Sequence, residues 1–245
     1  ASRMPSVENT FRNLTLNQRV SVVSPFVSRD VWLSCAEDPA PMEGDVYGGL
    51  DLSARTDLTA LVLVYKRDGF WHVSPHFWTP EEGLHDRARA DRVPYDLWVK
   101  QGYLRTTPGA TVDYAHVIQD MAEILTDSYL RVLCFDRWRI DAFKRDLEAL
   151  GMDMPLEPHG QGFKDMSPAL DTLESELLNG RIRHGGHPVL QMCAANAVVT
   201  KDPAGNRKLD KHKATGRIDG MVALAMALAA ASAEPDYAGG RLITL

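Results

Sequence analysis

The chain has 245 residues, of which 44% are hydrophobic, 24% charged and 8% aromatic, proportions of an ordinary soluble globular protein with room for one large domain or two small ones. Its 27 basic and 33 acidic residues leave a net charge of −6, which argues against a generic basic nucleic-acid coat but leaves room for a local basic groove. Cys35, Cys134 and Cys193 are too few and too scattered for a disulfide framework or a zinc finger, so a reduced, intracellular setting is expected. No uncharged apolar run reaches the roughly 18 residues of a membrane span, and no signal-peptide pattern occurs. The start Ala1-Ser2-Arg3, without Met, suggests a piece excised from something longer.

In chain order, residues 1–45 are polar and broken by Pro5, Pro25, Pro39 and Pro41. They read as a linker with a short helix or two, in which Val31-Trp32-Leu33 can dock on a core. The main domain is expected at 46–232. Val46–Leu52, Leu58–Tyr65 and Phe70–Trp78 read as three strands joined by short turns, an antiparallel meander buried on both faces in its middle. Glu81–Arg92 and Tyr95–Gln101 look helical, Tyr103–Thr106 is a short strand, and Asp113–Thr126 is an amphipathic helix. Leu130–Asp136 is a buried strand ending on a carboxylate, followed by a helix over Ile140–Leu150 that stops at Gly151. A short strand at Pro155–His159 and helices over Ser167–Leu178 and Pro188–Val198 come next. A basic stretch from Lys201 to Arg217 leads into the Ala-rich helix Ile218–Ala231, most of whose girth must be covered. Residues 233–245 read as a flexible tail. A meander followed by β–α alternation predicts a mixed α/β sheet with helices on both faces.

Three aspartates fall where a carboxylate is expensive. Asp51 lies inside the first strand between Leu50 and Leu52, Asp136 ends the strand Val132–Phe135, and Asp219 opens the last helix. Asp136 alone fits a helix cap, and Asp219 alone fits the positive end of a helix. Asp51 has no such ordinary role. Together they suggest one site, because the first strand of a meander is commonly central and the strand after the crossover can pair beside it. Crowded carboxylates call for a divalent cation, and oxygen-only ligands favour magnesium or manganese. Two such ions about 3.5–4 Å apart can activate water and stabilise the leaving oxygen of a phosphodiester. Asp57 can reach the same ions, although its position also suits an ordinary turn residue.

Gly48-Gly49-Leu50-Asp51-Leu52-Ser53, then Thr56-Asp57-Leu58-Thr59-Ala60, resembles the start of the nuclease domain of tailed-bacteriophage terminase large subunits of the HK97-like type. Gly216-Arg217-Ile218-Asp219-Gly220-Met221-Val222-Ala223-Leu224 is similar to that family's closing motif. Phe135-Asp136-Arg137, Gly180-Arg181-Ile182-Arg183-His184 and Asn196-Ala197-Val198 extend the likeness, which runs from about Leu33 to Ala231. The resemblance implies an RNase H-like fold and a metal-dependent endonuclease that hydrolyses concatemeric double-stranded viral DNA with two Mg²⁺ or Mn²⁺ ions. By motif position Asp51, Asp136 and Asp219 match the family's metal ligands, and Asp57 an accessory acidic position. The implied partners are double-stranded DNA and, in the full protein, an ATPase domain, the small terminase subunit and the portal. The isolated domain is expected to be monomeric, and the setting is the cytoplasm of an infected bacterium. No Gly-x-x-x-x-Gly-Lys-Ser/Thr loop occurs, and Gly160-Gln161-Gly162-Phe163-Lys164 is only a superficial echo, so this chain should cut without hydrolysing ATP.

Lys201, Arg207, Lys208, Lys211, Lys213 and Arg217 face only Asp202 and Asp210 in their stretch, and are expected to grip phosphates. Asn206 and Gly205 suggest a hairpin tip there. On that reading, replacing Lys208, Lys211 and Lys213 weakens DNA binding and leaves metal binding largely intact. His184-Gly185-Gly186-His187 reads as a turn rather than a metal site, and Cys134 as a core residue. Three other functions compete with this one. An actin-like or sugar-kinase ATPase wants a glycine-rich turn that Ser53–Asp57 lacks. A non-catalytic DNA-holding module, and another RNase H-like nuclease of the resolvase or transposase type, remain as alternatives.

Overall fold

A computed structural model of the chain describes residues 25–53, 56–137 and 140–233. The expected linker over 1–24 and the tail from 234 lie outside the described residues. From Pro25 the chain is part of the folded body. The Phe26 N–H donates to the Ala197 carbonyl at 2.8 Å, and Phe26 is buried. Helix α1 (Arg29–Leu33) is capped by the Ser28 hydroxyl and buries Val31 and Trp32, while Leu33 stays exposed. Phe26, Val31, Trp32 and Cys35 thus belong to the same core cluster as the strands that follow.

Strands β1 (Gly44–Asp51), β2 (Thr59–Arg67) and β3 (Phe70–Pro80) form the expected antiparallel meander. Helices α2 (Leu84–Asp91) and α3 (Tyr95–Lys100) follow, then the short strand β4 (Arg105–Thr107) beside β3. Asp113 caps helix α4 (Tyr114–Ile124), its carboxylate accepting from the Ala115 and His116 N–H groups at 2.9 and 3.3 Å. Strand β5 (Ser128–Asp136) runs parallel to β1, helix α5 (Ile140–Ala149) crosses over, and β6 (Leu156–His159) pairs parallel to β5. Helix α6 (Phe163–Leu178) starts one turn earlier than its sequence suggested and holds Pro168 inside it. Strand β7 (Ile182–Arg183) adds to β3, helix α7 (Pro188–Asn196) opens on proline, and β8 (Val199–Lys201) and β9 (Arg207–Leu209) make a separate hairpin. Helix α8 (Asp219–Ala233) closes the described fold. No described helix is long and apolar enough to cross a membrane.

The main sheet has strand order β4-β3-β2-β1-β5-β6, so β1 is central. Alternation along β2 sends Ala60, Val62 and Val64 to one face and Leu61 and Leu63 to the other. The first face packs on α8, α6 and α7, and the second on α4 and α5. A strand covered on both sides reads as a continuous apolar run, which is why β2 shows no polar alternation. Helix α8 is buried at every position from Asp219 to Leu228, as its Ala, Met and Leu content required. It lies so close to β1 that a methyl group on Gly49 would stand 1.9 Å from the Ala223 carbonyl oxygen. A methyl on Gly220 would stand 2.8 Å from the Phe77 ring. Only hydrogen at these two positions lets helix and sheet meet at that separation.

Candidate active site

β1 and β5 end side by side, with Leu50 opposite Phe135, so Asp51 and Asp136 reach the same edge of the sheet. The close seat of α8 on β1 brings its first residue, Asp219, to that edge as well. Asp51 is 3% exposed and Asp219 6%. Asp51, Asp57, Asp136 and Asp219 line one cleft of about 470 Å³, whose far wall is Lys208 to His212. The structure thus gathers the four carboxylates singled out in the sequence from two adjacent strands, a turn and a helix start.

The cleft already holds a cation of its own. The Lys211 ammonium donates to Asp51 Oδ2 at 2.6 Å and to Asp219 Oδ1 at 2.9 Å. Burial pushes Asp51 up to about 7, reinforced by the charges of Asp219 and Asp136 and opposed by Lys211. Burial pulls the other way on Lys211, but Asp51 and Asp219 outweigh it and hold the ammonium above the ordinary lysine range. Asp57 is raised by burial and by the Asp219 charge, against the pull of Arg217. Its carboxylate meets the Arg217 guanidinium at 2.6 Å, and Arg217 reaches Asp91 at 3.4 Å. The Tyr95 hydroxyl in turn donates to Asp91 at 3.0 Å. Among the described residues no three His, Cys, Asp or Glu side chains stand close enough to hold a metal ion as they are arranged. The ammonium lies between two of the candidates.

The basic stretch forms the expected hairpin, with Gly205 at φ +90° and the Asp202 carboxylate receiving Asn206 at 2.8 Å in its turn. Its six cations do not act as one comb. The Arg207 guanidinium is turned inward onto Asp171 and onto Glu174 at 2.8 Å, with its side chain only 15% exposed. Lys211 lines the carboxylate cleft, and Arg217 pairs with Asp57 and Asp91. Lys201 and Lys213 are exposed, and the Lys208 ammonium lies 5.1 Å from the Phe163 ring centroid. The Lys211 ammonium touches two of the candidate ligands, so replacing it alters the carboxylates' surroundings as well as the charge of the hairpin wall. Sequence reading also missed Asp171 and Glu174, which hold the hairpin, and Asp91 and Tyr95, which hold Arg217. These are ordinary helical positions, and only contacts across 36 and 126 residues distinguish Asp171 and Asp91.

His184-Gly185-Gly186-His187 is a turn, with both glycines at positive φ and His184 stacked on Trp32 at 4.1 Å. Cys35, Cys134 and Cys193 are buried free thiols. Gly162 and Phe163 begin α6, so the glycine-rich echo there is the start of a helix.

Comparison with known proteins bears on the fold and the family. The family model described as terminase large subunit, endonuclease domain, matches residues 3–234. The large terminase subunit of Enterobacteria phage HK97 is 63% identical over 241 residues, which is 98% of this chain and 48% of that protein. Its crystal structure superposes with a TM-score of 0.80 over 93% of this chain and 48% of that one. Protein YmfN of Escherichia coli K12 is 30% identical over 240 residues, 90% of this chain and 51% of its own. The large terminase nuclease of the thermophilic phage G20c, crystallised with bound magnesium and with bound cobalt, shares the fold at 13% identity. Its TM-score is 0.51 over 86% of this chain and 89% of that one. The chain spans about half the length of the curated relatives it matches. A mixed RNase H-like sheet, a carboxylate cleft at the ends of its central strands and a family match over nearly its whole length place this chain in the endonuclease-domain family of terminase large subunits.

Proposed function

We propose that the chain is a divalent-metal-dependent DNA endonuclease that cuts concatemeric double-stranded viral DNA during genome packaging in the host cytoplasm. The observation that carries this reading is the convergence of Asp51, Asp57, Asp136 and Asp219 on one cleft, two of them in direct contact with a single positive charge. The donor set fits hard ions. Every candidate ligand is a carboxylate oxygen, which suits magnesium or manganese rather than zinc or copper. The magnesium- and cobalt-bound forms of the G20c nuclease support a divalent ion in this fold.

In this mechanism Asp51, Asp136 and Asp219 would hold the ions, with Asp57 as an accessory ligand. Two bound ions would supply an activated water and charge stabilisation at the leaving oxygen of an in-line displacement. Arg217 bridges Asp57 and Asp91. Lys201, Lys208 and Lys213, on the hairpin wall and the turn after it, meet backbone phosphates and aim the duplex toward Asp219. In the whole protein the ATPase domain, the small terminase subunit and the portal deliver that duplex.

A plasmid-nicking assay in Mg²⁺ or Mn²⁺ tests the reading. Nicked and linear products should appear with the ion, disappear with chelator, and disappear in Asp51→Asn. Full cleavage by Asp51→Asn would overturn the assignment. The domain should cut without sequence preference and turn over no ATP, so discrete fragments or phosphate release from ATP would count against it.

A further inference from the structure

The site contains a positive charge that belongs to the chain, and that charge stands where an incoming ion needs oxygen. Lys211 Nζ is 2.6 Å from Asp51 Oδ2 and 2.9 Å from Asp219 Oδ1. Both carboxylates are buried, whereas the lysine side chain is half exposed and borders solvent along its stem. Asp51 is held in the central strand and Asp219 by a helix seated on it. Lys211, by contrast, follows a hairpin with strands of only three residues each.

The loop that carries Lys211 is nevertheless placed with care. The Asp210 N–H donates to the Val198 carbonyl at 3.0 Å, and the Asp210 carboxylate receives the N–H groups of His212 and Lys213 at 3.0 and 3.2 Å. Upstream, Arg207 fastens the hairpin to α6 through Asp171 and Glu174, and its N–H donates to the Ser167 hydroxyl at 3.1 Å. Leu209 is buried. A lysine set in so fixed a frame reaches the two carboxylates by design of the loop rather than by chance.

We propose that Lys211 is a resident counter-ion that competes with divalent metal for Asp51 and Asp219, and that metal loading requires its ammonium to leave. This inference rests on the reading of Asp51 and Asp219 as metal ligands. An ammonium on one oxygen of each carboxylate takes part of the donor set a divalent ion would use, and the two positive charges would repel across a poorly screened site. While no ion is bound, Lys211 offsets the cost of two buried carboxylates. When the ion enters, the released ammonium is left at the cleft wall, between Asp210 and His212, where a DNA phosphate would pass. Metal and DNA then favour each other, because the phosphate takes the charge that the carboxylates give up.

Binding of Mn²⁺, followed by the electron paramagnetic resonance signal of the free ion, tests this without any cleavage. Wild type, Lys211→Met, Lys211→Arg and Asp51→Asn are titrated at fixed pH and ionic strength, and their thermal midpoints are recorded with and without the ion. Lys211→Met should bind Mn²⁺ at least about tenfold more tightly than wild type, since a repelling charge is gone. It should melt lower than wild type without the ion and gain more from saturating Mn²⁺. Lys211→Arg, which keeps the charge, should stay near wild type. Equal or weaker binding by Lys211→Met, with wild type binding normally and Asp51→Asn not at all, would overturn the competition and leave the metal-site reading standing. Absence of binding in wild type and Lys211→Met alike would overturn both.

Discussion

The floor of the cleft and its wall are built on opposite principles. The floor is apolar and tight. Gly49 of β1 meets the backbone of α8 with no room for a methyl group, and the carboxylates Asp51 and Asp219 project from that contact. The wall is polar and short, two strands of three residues whose position depends on Arg207 and Ser167. Close packing cannot relax by small amounts, so the floor holds its acids at set positions. Ion pairs can exchange partners when another ion or a phosphate arrives, so the wall can rearrange. Precision and adaptability are thus assigned to separate parts of one cleft.

The largest effect should come from the floor's acids. Asp219→Asn or Asp136→Asn should lower cleavage by roughly three orders of magnitude or more, with the circular dichroism spectrum unchanged, because charge at the reacting centre is lost and packing is not. Cleavage within tenfold of wild type would show that the floor does not carry the chemistry. Gly49→Ala should cost about 3 kcal/mol or more in a urea titration, since backbone rather than a flexible side chain must give way. A near-neutral result would show that the seat of α8 is softer than the floor argument requires.

The wall should respond more modestly. Replacing Lys201, Lys208 and Lys213 with Ala should weaken DNA binding and flatten its salt dependence, by about 0.9 in the log–log slope for each lysine that neutralises a phosphate. Affinities measured across a salt series decide this, and coincident lines would put the DNA path elsewhere. Lys211 is left out of this set because of its contacts with the floor. Arg207→Met should lower the opening free energy of the hairpin by about 1–2 kcal/mol, read as faster hydrogen exchange at the Asp210 amide while the α8 amides are unchanged. Equal acceleration in both would erase the distinction between floor and wall.

The smallest effect lies behind the floor. Burial holds His76 down at about 3 and His187 at about 4, and His187 packs 5.4 Å from the Phe77 ring that contacts Gly220. A folded-state value below the ordinary 6.5 means that the unfolded chain takes up protons first. Stability is then fully present above pH 6.5 and falls as the pH drops toward the folded values, by about 1 kcal/mol for each histidine near pH 5 after allowing for partial exposure. A thermal midpoint in His187→Gln that falls between pH 7 and 5 as steeply as in wild type would remove that residue from the account.

Much of the frame was legible because it is periodic. The continuous apolar run of β2, the alternation along α4 and the covered girth of α8 each declare which faces are buried before any partner is known. Element ends were less clear. α6 begins a turn before the stretch that reads as helical, and two-residue β7 has too little pattern to notice. Asp51 stood out because a carboxylate amid buried strand residues is costly, and the same cost argument drew attention to Asp136 and Asp219. The basic stretch is legible as a hairpin, but nothing in its sequence divides its cations into separate roles. Local sequence gives Arg207, Lys208 and Lys211 the same charge only a few positions apart.

What the sequence by itself determined is therefore a mixed α/β sheet, the identity of its core faces and the costly placement of Asp51, Asp136 and Asp219 at its strand and helix ends. These follow from short-range periodicity and from the cost of burying charge, both properties of neighbouring residues. The tertiary structure alone decided which partner each cation takes. Lys211 meets Asp51 across 160 residues and Arg217 meets Asp91 across 126. Coulomb attraction depends on distance in space, and spacing along the chain carries no trace of that distance until the sheet and α8 have packed.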